Sequence, residues 1–242
     1  MTNSEAEFLA SYDPALYDRP AVTVDLVLMS VLHGAPVALL NQRHEHPARG
    51  KWALPGGFVR IDEALDDAAL RILSEKARMR DAYIEQLFTF GAVDRDPRLR
   101  VITVAYFALL PAEHFAAALK TDQSLTLARI AVDWPGETGG RVAAIGEDGP
   151  LPLAFDHADI LGLAMLRLRG KLDYSPVGFA LLPERFTLRE LQDIHEAILG
   201  VPLNKPAFRR RMVDKGWLEA TGERETGASF RPAELFRFRP NR

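Results

Sequence analysis

A chain of 242 residues, 48% hydrophobic and 26% charged, can bury a proper core and exceeds the about 100 to 200 residues of one usual domain, so a main domain with a smaller second one is expected. The first 20 residues are polar and acidic without a signal-like apolar core, and no later run approaches the roughly 18 apolar residues of a membrane helix; cysteine is absent, which removes disulfides, thiolate catalysis and thiolate metal sites, and a cytoplasmic chain with no membrane attachment is expected. The net charge of −3 divides unevenly: Glu184 to Arg242 holds 12 Lys/Arg against 9 Asp/Glu and the remainder 18 against 24, so the C-terminal segment is mildly basic, the sign of a nucleic-acid-facing part.

Ala21 to Val31 is rich in Val, Leu and Thr, and after the turn signal Gly34-Ala35-Pro36 a second apolar run, Val37 to Asn41, completes an expected hairpin. Polar residues 43–50 lead into Trp52-Ala53-Leu54-Pro55-Gly56-Gly57-Phe58, a short strand with a forced tight turn. Asp62 and Glu63 open a helix whose apolar positions Leu65, Ala68, Ala69, Ile72 and Leu73 have helical spacing. Strands are expected at 87–92 and 101–110 around the loop Asp94-Arg95-Asp96-Pro97-Arg98, a short helix at 115–120, irregular chain at the Gly- and Pro-rich 132–152, and an amphipathic helix from Asp156 to about Leu172. Residues 173–184, with Pro176, Gly178 and Pro183, read as a linker.

Beyond it, Thr187 and Glu190 form a capping-box pattern ahead of a helix with Leu188, Leu191, Ile194, Ala197 and Ile198 on one face, ended by Gly200. A second short helix, 205–215, sets Phe208 and Met212 inward and Arg209, Arg210 and Arg211 outward, a helix-turn-helix arrangement. Strands at 217–221 and 235–239 then flank a polar turn, with Phe236 and Phe238 alternating with Arg237 and Arg239 as in a wing beside a phosphate backbone. Taken alone, this segment fits a DNA-binding unit or a dimerisation or capping module equally well.

The helix that follows Gly57 carries the motif. Gly57, Glu63, Arg71, Leu73, Glu75 and Met79 resemble the Nudix box, whose pattern is Gly, five residues, Glu, seven residues, Arg-Glu-apolar-x-Glu-Glu-x-Gly-apolar, and the preceding 52–58 fits the family's strand and loop. In the family, three of the box glutamates supply most magnesium ligands; here those positions read Ile72, Glu75 and Lys76, which at about 100° per residue share one helix sector. Magnesium wants oxygen ligands, isoleucine offers none, and the Lys76 ammonium repels a divalent cation. Arg78 replaces the box's second glycine. The resemblance therefore implies an α+β fold, a Nudix α/β/α sandwich with a mixed sheet, without catalytic residues, bound metal or a required cofactor.

The loop at 94–98 before the strand Val101 to Leu110 also looks like Nudix proteins that handle ADP-ribose, which implies an ADP-ribose-like effector. Arg43, Gly56, Gly57, Lys76 and Arg98 are the expected phosphate-side contacts, Trp52 and Phe58 the apolar surface for a ring, and Glu75 a further lining residue; a core role for Trp52 stays open. Joined to the C-terminal segment, whose 172–179 and 186–211 look like that family's, the whole resembles the Nudix-related transcriptional regulators of the NrtR family. The implied organisation is an N-terminal extension (1–20), a ligand-sensing domain (21–172), the linker (173–184) and a winged helix (185–242). The implied function is a homodimeric regulator, a repressor of NAD-related or sugar-catabolic genes, bound to a palindromic site in double-stranded DNA through Thr187, Lys205, Arg209, Arg210, Arg211, Arg224 and Arg231. The alternative is an active hydrolase cleaving ADP-ribose-type pyrophosphates with Mg2+ held by Glu75, Glu63 and a distant acid such as Glu113.

Overall fold

The computed structural model describes residues 4–79, 82, 84–225 and 232–240. A short helix, α1 (Glu5–Ser11), opens the chain behind a capping box of Ser4 and Glu7. Strand β1 (Ala21–Leu32) buries seven consecutive residues, Val24 to Ser30, because it runs through the middle of a sheet covered on both faces. His33 and Gly34, both at positive φ (51° and 73°), turn it into β2 (Ala35–Gln42). This turn is tighter than the expected Gly34-Ala35-Pro36, for Ala35 and Pro36 already pair with Leu32 and Val31.

Two short strands follow: β3 (Trp52–Ala53) extends the sheet from β2, and β4 (Gly56–Phe58) sets Gly56 and Gly57 opposite Asp25 and Val24 of β1. Helix α2 (Leu65–Ala77) buries the apolar positions expected of it except Leu65. Strands β5 (Glu85–Phe90) and β6 (Val101–Leu109) come next, β6 running parallel to β1 from Ala21↔Val101 to Met29↔Leu109. After α3 (Ala116–Thr121), the chain forms β7 (Leu125–Ala131), β8 (Ala143–Gly146) and β9 (Gly149–Leu151). The latter two replace the irregular structure expected of 132–152. They form because β2 offers β7 an open edge, and β8 and β9 then add to β7; local propensity has little part in it. Helix α4 (His157–Leu172) closes the unit.

The sheet order β5-β6-β1-β2-β7-β8-β9 separates two cores. One lies under α2 and includes Val24, Leu26, Leu28, Tyr106 and Phe115; the other lies under α4 and includes Val27, Met29, Phe107, Ile160 and Met165. The result is the expected mixed-sheet sandwich.

The segment read as a linker is a packed element. Pro176–Leu181 is a 3-10 helix with Gly178, Phe179 and Leu181 buried, and Phe179 stacks on Phe238 with ring centroids 4.8 Å apart. Next come α5 (Leu188–Leu199), begun by the Thr187–Glu190 capping box and ended by Gly200 at φ 72°, and α6 (Lys205–Asp214), capped by Asn204. Strands β10 (Leu218–Arg224) and β11 (Glu234–Phe238) form the wing, with β10 running three residues past the expected end at Thr221. The core under α4 continues through Phe179, Leu182 and Phe186 to Leu191, Phe208 and Met212, so the two units share it. Among the described residues, no helix is long and apolar enough to cross a membrane.

Candidate functional site

A cavity of about 520 Å³ opens beside β4, between the C-terminal end of α2, the 94–98 loop and the start of α4. Its floor is polar and buried. Asp25 sits in the middle of β1 at 6% exposure, and its Oδ2 accepts a 2.8 Å bond from the Thr103 hydroxyl. The Arg95 guanidinium lies 3.6 Å from the same oxygen and donates twice to Asp156, at 2.9 and 2.7 Å. His157 Nδ1 accepts the Leu54 N–H at 2.9 Å, which leaves the ring proton on Nε2, 3.8 Å from Asp25 Oδ1. Burial drives the His157 pKa down, so the ring is neutral. Gly56 is required here: a Cβ would lie 2.3 Å from Asp25 Oδ1 and 2.9 Å from the Val24 carbonyl oxygen.

Around the mouth the charge is positive. Arg43, Lys76 and Arg98 all line the cavity, as do Gly56, Gly57 and Phe58. Arg43 is fixed by donation from Nε to the Pro47 carbonyl at 2.8 Å and lies 4.9 Å from the Phe155 ring centroid. Burial first, and then the neighbouring Arg98, lowers its pKa from the ordinary arginine value. Arg98 is forked onto Asp96 at 3.0 and 2.8 Å, lowering the Asp96 pKa, and lies 5.6 Å from the Phe58 centroid. Two arginine–aromatic pairs thus flank an opening suited to an anionic ligand with a flat ring.

The expected apolar contact Trp52 is corrected. It is bridged to Leu153 and packs against the core under α4, outside the lining, and Phe155 supplies the aromatic surface instead. As site residues Phe155, Asp25 and Asp156 escape the sequence reading, and Arg95 enters it only as part of the 94–98 loop, although a carboxylate inside an apolar strand is a signal that could have exposed Asp25.

The signature helix also differs from its wheel. Ile72 is 1% exposed and belongs to the core, its side chain 3.6 Å from where a Cβ on Gly57 would stand. Glu75 faces Arg71 (3.4 Å) and Arg60 (3.8 Å) and is not part of the lining, so of positions 72, 75 and 76 only Lys76 reaches the cavity. Arg71 also holds Glu63 at 2.6 Å and donates to the Phe58 carbonyl at 3.1 Å; its bond lowers the Glu63 carboxyl to about 2. Both surviving acids of the box therefore brace the loop through Arg71. Among the described residues no group of three or more His, Asp or Glu could hold a metal ion, and Glu113 lies away from the cavity in the turn 112–115. A magnesium centre does not fit these side chains.

In the C-terminal unit, Phe208 and Met212 anchor α6 at 2% and 1% exposure, and Lys205, Arg209 and Arg210 are exposed. Among the described residues Arg209 and Arg210 make no ion pair. Arg211 is paired with Asp173 at 3.1 Å, and Lys215 donates to the Asp173 carbonyl at 2.5 Å. Arg224 is exposed on β10 and donates to the Pro232 carbonyl at 3.1 Å. Thr187 is corrected: it is 3% exposed and its hydroxyl is committed to Glu190 at the α5 cap, so it presents nothing to DNA. Arg231 lies outside the described residues.

Known proteins match both units. A family described as the NrtR DNA-binding winged helix domain matches residues 178–238, and the NUDIX domain family matches residues 19–129. The ADPR responsive transcriptional repressor NtrR of Acinetobacter baylyi is 39% identical over 98% of this chain and 89% of its own. The crystal structure of Shewanella oneidensis NrtR complexed with a 27mer DNA is 35% identical, with a TM-score of 0.74 over 90% of this chain and 93% of that one. The NUDIX domain of the same Shewanella protein, solved with ADP ribose, is 35% identical with a TM-score of 0.50 over 69% of this chain and 99% of that one.

Proposed function

This chain belongs to the NrtR family of Nudix-related transcriptional regulators, and on that premise we propose that it is a DNA-binding repressor whose Nudix domain senses ADP-ribose without cleaving it. The observation that carries the reading is the make-up of the cavity. It keeps cations for a diphosphate in Arg43, Lys76 and Arg98, while the box positions that would hold magnesium are a core isoleucine, a glutamate turned to arginine and a lysine. Metal-assisted attack of water on a pyrophosphate needs bound cations to activate water and to neutralise developing charge. Here positive charge is built into the side chains, where it favours the bound nucleotide and activates no water.

Phosphate contacts on the DNA side are assigned to Lys205, Arg209, Arg210 and Arg224, which are exposed, with Arg211 in a secondary role because Asp173 already holds it. Two winged helices acting on a palindromic operator require a homodimer.

The test combines retention and turnover. Duplex fragments from upstream of this gene and its neighbours are assayed for retention by the purified protein, with and without ADP-ribose, and AMP release is measured with Mg2+ present. Retention abolished by ADP-ribose, with negligible AMP release, is expected. Failure to retain any fragment, or robust magnesium-dependent hydrolysis, overturns the proposal. The oligomeric state follows from light scattering, where a monomer in the presence of operator removes the dimer.

A further inference from the structure

Helix α4 touches both functional regions. Its N-cap residue Asp156 makes no capping hydrogen bond, because both carboxylate oxygens are taken by the buried Arg95 below the cavity. His157, the first helical residue, lines the cavity, and so does Phe155 just before it, held at φ 51°, a left-handed conformation that a phenylalanine adopts only when its surroundings impose it.

Twelve residues further, about 18 Å along the helix axis, Arg169 is 6% exposed and, among the described residues, has no carboxylate partner. Its Nε donates to the Ile198 carbonyl at 2.9 Å, its Nη1 to the carbonyls of Trp134 (3.1 Å) and Gly136 (2.9 Å), and its guanidinium lies 4.6 Å from the Trp134 ring centroid. Ile198 is in the last turn of α5, so this bond crosses from the sheet domain into the helix-turn-helix. Just past the end of α4, Asp173 receives Arg211 and Lys215 at α6. Between its ends α4 has no slack: a Cβ on Gly162 would stand 2.0 Å from the Gly140 carbonyl oxygen. A buried cation satisfied by carbonyls alone costs desolvation that an apolar side chain would avoid, so its use argues for a fixed geometry over stability.

We infer that α4 is the element through which the nucleotide cavity sets the position of the helix-turn-helix, with the Arg95–Asp156 pair as its ligand-side contact and Arg169 as the positioning residue on the DNA side. The inference rests on the nucleotide-responsive reading above. An anionic diphosphate in the cavity competes with Asp156 for the Arg95 guanidinium, which alters how the first turn of α4 is anchored. A helix packed this tightly transmits that change to Ile198 and Asp173 as a rigid body, and the ligand's preference for one setting becomes a difference in DNA affinity.

The coupling is a ratio and it is reciprocal: ADP-ribose changes the DNA dissociation constant by the factor by which DNA changes that of ADP-ribose. Both are measured for the wild type and for Arg169→Leu, using the operator fragment that the wild type retains and calorimetry for ADP-ribose. Each ligand alone should bind the variant within about threefold of wild type, while the ratio, on the order of 5 to 150 for an allosteric pair, falls towards one. An unchanged ratio overturns the inference and leaves the functional reading standing, whereas a wild-type ratio of one overturns that reading and this inference with it. Should Arg169→Leu fail to fold, Arg169→Lys keeps the charge and the stem but loses the planar fork, and the same drop is expected of it.

Discussion

Lys76 is the one residue of the box's metal-ligand positions that faces the cavity, and its charge decides what is held there. Lys76→Glu should weaken ADP-ribose binding about tenfold or more, since one reversed charge near a diphosphate in a cleft is worth at least ~1.4 kcal/mol. Calorimetry at constant ionic strength measures it, and an unchanged affinity would remove Lys76 from the ligand's surroundings. The spacing from Gly57 to Met79 is legible because a box motif is local, and Gly56, Gly57, Phe58 and Lys76 all line one cavity. What stayed hidden was assembled from distant positions. Asp25, Thr103, Arg95 and Asp156 meet only once β1, β6, a loop and α4 are packed together, and an isolated charge in an apolar strand does not name its partners. The helix wheel sets Ile72 among the apolar positions and also in one sector with Glu75 and Lys76, because periodicity gives only a sector. Which part of that sector sinks into the core depends on how deeply α2 settles on the sheet.

At the scale of elements, α2 ends in a conformation whose usual residue has been lost. Arg78 closes the helix at φ 58° and ψ 31°, with its own N–H and that of Met79 bonded to the Leu73 carbonyl, a terminus that favours glycine. Arg78→Gly should therefore raise the unfolding free energy by about 1 kcal/mol, less whatever the exposed 3.7 Å pair with Asp122 contributes, and a lowered urea midpoint would contradict this. The box glycine is thus legible in the backbone even though the sequence no longer carries it. Helices with caps, such as α5 with its Thr187–Glu190 box, were readable end to end. Strands β8 and β9 were not, since their pairing comes from the open edge beyond β2 and β7 and their Gly- and Pro-rich sequences carry no alternation. The supposed linker misled for the same reason: Pro176 and Gly178 mark a turn equally well in solvent or in a core. Here Gly178 lets the 3-10 helix approach His195 of α5, where a Cβ would stand 3.0 Å from the ring. That ring donates from Nδ1 to the Leu191 carbonyl at 2.8 Å and stands edge-on to Phe208; burial is the main cause that lowers its pKa to about 4. The unfolded histidine titrates near ~6.5. Between these values the unfolded chain binds the extra proton, so the stability present above pH ~6.5 is lost as pH falls, by up to about 1.4 kcal/mol per pH unit. His157, also lowered by burial, adds to the loss with the same sign. His195→Gln should flatten the dependence of the urea midpoint between pH ~6.5 and 4 by about one proton's worth, and an unaltered slope would show the ring to be protonated in the fold.

For the whole molecule the question is how a chain of net charge −3 holds a polyanion. The sheet domain repels DNA on balance, so affinity has to come from a small face where cations are free of carboxylates, and α6 supplies it: Arg209 and Arg210 are exposed and unpaired among the described residues, whereas Arg211 is tied to Asp173 and Arg237 to Glu219 at 2.6 Å. Each arginine that neutralises a phosphate releases condensed counterions, and the logarithm of the binding constant falls with the logarithm of salt by about 0.9 per contact. Arg209→Ala and Arg210→Ala should each weaken binding to every duplex alike and flatten that slope, while Arg211→Ala should leave it within a few tenths of wild type. The size of the change also counts subunits. A homodimer loses two contacts per substitution and the slope drops by about 1.8, while a monomer on DNA loses one and it drops by about 0.9. Salt titrations of operator retention for the three variants read both quantities at once. A loss confined to one base position would mean that the arginine reads a base edge, and equal slopes for Arg210→Ala and wild type would take α6 off the phosphate backbone.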